Sequence, residues 1–202
     1  MSAPPASSRL VFGLLLVWVA VASGVGASGV LERASVWVFG AVVGGLTVLA
    51  LGLAFGVPRL RAWALQAPMR PLILVHLARF VGLAFFGLYA TQELPAAFAI
   101  PAGVGEVSVA FLAIPLAIWA LPALTPKRWS AVLLWNVFGT AALLQAAGRS
   151  LRLTAISVEL TVPLSTFPLV LISLVVVPLG LAAHAVLFAR LWSMRREVEG
   201  LV

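Results

Sequence analysis

Six long apolar runs with short breaks between them leave this chain little material for anything but membrane helices. They cover Leu10–Leu31, Ser35–Val57, Pro71–Gln92, Pro95–Leu121, Ser130–Gly148 and Ser165–Leu191. A hydrocarbon core of ~30 Å takes ~20 apolar residues of helix, and each run is close to that length. The runs are continuous rather than alternating, so strands of a barrel are set aside. Only 9% of the 202 residues are charged, against about 25% in a soluble domain. That is too little polar surface to cover a core in water. The expected fold is therefore all-α: a polytopic membrane protein of six transmembrane helices in one bundle. It forms a single transmembrane domain over residues 1–202, with the lipid bilayer as its solvent.

The first run has a second reading. Arg9, the apolar stretch after it and the small residues Ser23–Gly29 resemble a cleavable signal peptide. The run continues past the small residues to Leu31, which favours a retained helix.

The net charge is +7. In a soluble protein that would point to nucleic acid. Here the basic residues stand at the ends of the runs, so they speak to orientation and no nucleic-acid partner is expected. With the N-terminus inside, nine Lys and Arg fall on the inner side: Arg9, Arg59, Arg61, Arg70, Lys127, Arg128, Arg190, Arg195 and Arg196. Three fall outside: Arg33, Arg149 and Arg152. The bias predicts that both termini are cytoplasmic (N-in/C-in). The outer connection Arg149–Leu164 is fairly apolar and is expected to lie along the membrane surface. The absence of cysteine excludes disulfides, thiolate metal sites, Fe–S clusters and cysteine nucleophiles.

An ionisable group in hydrocarbon costs ~3 kcal/mol or more on insertion scales, which makes each one a functional candidate. Away from the ends of the runs stand His76, Arg79, Glu106 and His184, with Asn136 as the main polar addition. At helical spacing Ala99, Ala102, Glu106, Ala110, Ala113, Ala117 and Ala120 share one face. Such a small-residue stripe lets another helix approach closely, so Glu106 is expected to face protein. Arg79 lies ~12 Å into its run by helical rise, and Glu106 is the acidic residue at membrane depth that can pair with it. The pair either serves a site or only locks two helices together.

Pro95, Pro101, Gly103 and Gly105 precede Glu106. They predict either a broken helix of the kind that lines transporter sites or a helix start with Pro101 in its first turn. His76 and His184 lie at similar inward depths, ~8 and ~9 Å. Two histidines at matched depth suit axial ligation of a haem b iron, while histidines bonded inside the bundle are the commoner case. No further ligands for a zinc or copper site stand at that depth, so no metal is assigned. The spacings Gly40–Gly44 and Gly52–Gly56 read as close helix contacts, within the bundle or with a second copy or membrane partner. Trp37, Trp63 and Trp129 suit interfacial anchoring. No phosphate loop or metalloprotease helix occurs, and with two histidines and no aspartate a conventional hydrolase has little to work with.

The stretch from Leu94 to Glu106, reading LPAAFAIPAGVGE, resembles an LPxxFAxPAGxG(D/E) segment of uncharacterised bacterial multi-pass membrane proteins, with Glu106 in place of the usual aspartate. Pro168–His184 and Trp135–Gly139 are similar to the same proteins, although Ala142 stands where they carry an acidic residue. The resemblance covers about the last two-thirds of the chain. It implies a shared six-helix fold and carries no activity with it.

Three functions remain open. The first is an intramembrane polar site of Arg79 and Glu106, with Asn136 nearby, handling a small ligand or proton. The second is a haem-bearing electron-transfer protein using His76 and His184. The third is a structural or accessory membrane subunit. A cavity reaching Glu106 would favour the first.

Overall fold

The computed structural model describes residues 6–119, 125–157, 159 and 162–199. Among them the fold is all-helical, and six helices are long and apolar enough to cross a membrane: Ser8–Ala27, Val36–Gly56, Met69–Ala90, Ala96–Trp119, Pro126–Ile156 and Ile172–Arg195. We number them spans one to six. Four sit close to the apolar runs that predict them. The chain is a multi-pass membrane protein.

Two differences from the sequence expectation have physical causes. Span five does not end at Gly148 but continues as helix to Ile156, so the surface-lying connection expected from Arg149 is helical for its first two turns. Its 31 residues make a rod of roughly 46 Å, longer than a hydrocarbon core. Arg149 and Arg152 therefore ride on a protruding end rather than marking a break. Span six begins later than Ser165. A short helix Val162–Ser165 and a turn precede it.

Span four settles the two readings of its proline-rich start. It is a continuous helix over Ala96–Trp119 with Pro101 and Pro115 inside it. Proline has no N–H, so Pro101 leaves the carbonyl four residues earlier without its helical donor. That carbonyl is Ala97's, and the Arg149 guanidinium donates to it at 3.2 Å. The same arrangement recurs at Pro178. It frees the carbonyl of Leu174, in a π-helical stretch over Ile172–Val176, and the Trp18 indole donates to it at 2.9 Å.

Spans three to six form the core of the bundle, with span four packed against both three and five. The predicted alanine stripe is its buried face: Ala99, Ala102, Glu106, Ala110, Ala113 and Ala117. Ala120 lies outside the described residues. Span one leans on this core through Ala22, which clusters with Leu31, Val170 and Leu174, and span two packs Phe39, Val42 and Leu46 against the same cluster. Of the glycines of span two, Gly40 meets Leu151, whereas a side chain at Gly44, Gly52 or Gly56 would meet nothing within 4 Å. The GxxxG spacings thus make one close contact inside the bundle rather than two helical seams. Trp37 is exposed, but Trp129 donates to the Leu191 carbonyl and so joins spans five and six.

A candidate intramembrane polar site

Span three decides the geometry of the site. Between helical ends Met69–Leu74 and Leu83–Ala90 it tightens into a 3₁₀ helix over Val75–Gly82. A 3₁₀ helix has three residues per turn, so positions three apart eclipse. Ile73, His76, Arg79, Gly82 and Phe85 are all buried, a strict period of three. At 3.6 residues per turn this line would drift around the helix. The tighter winding aims both polar side chains at spans four, five and six.

There Arg79 meets Glu106 in a two-pronged ion pair. Its Nε donates to one carboxylate oxygen at 2.8 Å and its Nη2 to the other at 2.8 Å. The third nitrogen, Nη1, donates to the Gly139 carbonyl at 3.0 Å and to His184 Nε2 at 3.2 Å. Four of the five guanidinium N–H groups are thereby used. Both residues are almost wholly buried, with 1% and 2% of their surfaces exposed. Unpaired charges could not persist at that depth.

Two glycines make the close approach possible. A side chain on Gly82 would strike the Glu106 Cβ, and one on Gly139 would strike the His184 ring.

Asn136 joins this network through His184 rather than touching the ion pair. Its Nδ2 donates to the His184 backbone carbonyl at 3.0 Å, which turns its Oδ1 to the ring at 2.7 Å from Nδ1. An amide oxygen only accepts, so Nδ1 carries the proton. Nε2 is then the acceptor that Arg79 requires, because guanidinium only donates. The hydrogen-bond pattern thus selects the neutral ring of His184 with its proton on Nδ1. His76 stacks on His184, with ring centroids 4.0 Å apart and planes inclined by 26°. Trp135 meets the edge of His76 and donates its indole N–H to the Val109 carbonyl. His76 Nε2 has no hydrogen-bond partner among the described residues.

All five sequence candidates therefore meet in one place. The sequence reading treated His76 and His184 as a pair separate from Arg79 and Glu106, and this is corrected: they form a single network. The haem arrangement does not fit it. Axial histidines approach an iron end-on from opposite faces of a porphyrin. Here the two rings lie face to face with no gap for a macrocycle, and both ring nitrogens of His184 are already engaged. Sequence reasoning missed Gly139 and Gly82. Their only mark was a glycine next to polar residues at helical or near-helical spacing.

A cavity of about 300 Å³ reaches the network. Its walls come from Val36–Thr47 of span two, Phe85, Phe98, the 143–154 end of span five and the 164–181 start of span six. These stretches lie at one end of the bundle, where the connections after spans one, three and five emerge. Glu106 also lines it. It stands eight residues beyond Phe98 on the same helix, ~12 Å deeper by helical rise. The lining is mostly apolar, with Thr47, Ser150, Thr154 and Ser173 scattered along it. A smaller hollow of about 30 Å³ shares Val36, Phe39, Ser150, Thr154 and Leu164 and extends to Glu32 near the surface.

The fold and the site define an all-helical, multi-pass membrane protein organised around a buried charged network with a cavity leading to it. Within that class, the chain belongs to the family described as Domain of unknown function (DUF8737), which matches residues 36–192. The match takes in spans two to five, every network residue and span six to Trp192. No curated protein and no solved structure matches the chain.

Proposed function

We propose that this protein uses an intramembrane polar site, centred on Arg79 and Glu106 and steadied by Asn136 and His184, to bind a small ligand or move a proton. The observation that carries the reading is the cavity whose lining includes Glu106. A charge pair that served only to lock helices would have no need of a cavity reaching one of its members. Convergent polar groups at the end of an apolar pocket are the usual form of a small-molecule site.

The reading places the protein in a bacterial inner membrane with both termini in the cytoplasm. Nine inner against three outer Lys and Arg support that orientation, and the resemblance of the Leu94–Glu106 segment supports the bacterial setting. In this orientation the cavity opens toward the outer face.

The chain has no cysteine, so an introduced one is unique. Ser173→Cys in the cavity wall should react with N-ethylmaleimide in the folded protein, whereas Val132→Cys in the core, 0% exposed, should not. Equal inertness of the two would remove the cavity and the reading with it. Orientation has its own check. In intact cells a membrane-impermeant maleimide should label Ser28→Cys, and Ala62→Cys only after lysis. The reverse pattern would invert the protein.

A further inference from the structure

The chemistry around Glu106 narrows what the cavity can hold, and the narrowing rests on the cavity reading above. A carboxylate offers about four acceptor positions, and Arg79 fills two of them. Among the described residues no other donor reaches Glu106. Its remaining acceptor capacity is therefore free, and Glu106 rather than Arg79 contributes to the cavity lining.

Charge argues in the same direction. The Glu106 negative charge is cancelled by the guanidinium held against it at 2.8 Å, so an entering cation would find a neutral pair. The apolar walls could not replace the water stripped from an ammonium or a carboxylate head. An acceptor-only group, such as an ether, would bring no proton to a site that offers acceptors. An uncharged hydroxyl or amide N–H matches what is left, and its apolar remainder matches the Val, Phe and Leu walls. A cavity of about 300 Å³ is at the small end of ligand sites.

We propose that the cavity binds a neutral, largely apolar molecule that carries one hydroxyl or N–H group and presents it to Glu106. Such a molecule partitions into lipid before it enters, and its polar end is the last part to be desolvated.

The test uses the full chain with Ser173→Cys, reconstituted in phosphatidylcholine vesicles, and four probes of equal chain length: decanol, decyl methyl ether, decylamine and decanoic acid. Each is titrated for protection of the cysteine against N-ethylmaleimide. A hydrogen bond to a charged group is worth enough that decanol should protect at roughly tenfold lower concentration than the ether. The amine and the acid should protect no better than the ether. Equal protection by all four overturns the proposal, since Glu106 would then read nothing. Stronger protection by the amine overturns it in favour of a cation site. No protection by decanol on a cysteine that labels freely overturns it too, while the cavity stands. An unlabelled cysteine is a different failure and falls on the cavity itself. Ala147→Phe, which fills the wall without touching the ion pair, should abolish decanol's advantage. An advantage that survives it would mean that decanol is bound elsewhere, which also overturns the proposal.

Discussion

The two ends of the sequence order behave differently. Spans three to six have between 28% and 44% of their most apolar windows buried inside the protein, whereas spans one and two have 11% and 6%. Both groups are strongly apolar, so hydrophobicity alone does not separate them. In lipid it cannot, because a leucine gains little by leaving one apolar solvent for another. What separates them is what they bring to a neighbour. The core spans carry small residues, which permit approach, and the buried network, which gives approach a direction. Span two carries glycines but no polar side chain that enters the network. Its contact with the core is consequently partial, and the cavity lies along that seam.

The sharpest way to break the comparison is to strand a charge in the core. Arg79→Met leaves Glu106 buried and unpaired, and Glu106→Gln leaves the guanidinium in excess. Removing one partner of a buried pair costs about 3–5 kcal/mol, more than replacing both. Each single variant should therefore lose a large part of its thermal stability in detergent, and the Arg79→Met/Glu106→Gln double variant should recover part of the loss. A double variant as unstable as the sum of the singles would mean that the pair does not hold spans three and four together. The core would then owe its tightness to the alanine stripe alone.

This ion pair was legible in the sequence, and the reason is physical. Lipid makes charge so costly that one arginine and one glutamate at membrane depth have few partners to choose from. The alanine stripe was legible because span four is an ordinary α-helix whose 3.6-residue period survives its two prolines. The union of both histidines with the ion pair was not. It depends on the 3₁₀ stretch Val75–Gly82, which changes the period from 3.6 to three over eight residues, and no residue type there announces the change. The end of span five was misread for a related reason. Gly148, Arg149 and Arg152 look like a boundary, yet Arg149 has a backbone carbonyl to cap, and that contact belongs to another helix. Local pattern gave the spans, while the contacts between spans had to be seen.

Glycine gives the finest version of the comparison, because the same substitution can be placed in both regions. At Gly139 an added methyl would run into the His184 ring and come within 3.2 Å of Arg79 Nη1. The ring cannot swing away without giving up Asn136 on one nitrogen and Arg79 on the other. Overpacking of this kind costs about 1–3 kcal/mol, so Gly139→Ala should lower the melting temperature and disturb the network. At Gly52 an added methyl meets nothing within 4 Å, and the helix itself favours alanine over glycine by roughly 0.5–1 kcal/mol. Gly52→Ala should therefore leave stability unchanged or raise it slightly. The two variants differ by one methyl each, so a difference in melting temperature reports the surroundings and not the chemistry of the change. If Gly52→Ala is as harmful as Gly139→Ala, span two is not the largely uncovered helix that its 6% burial describes. Measuring the mass of the assembly then shows what it touches. A fall from dimer to monomer on Gly52→Ala would assign that face to a second copy, and an unchanged mass would place the missing contact within the chain.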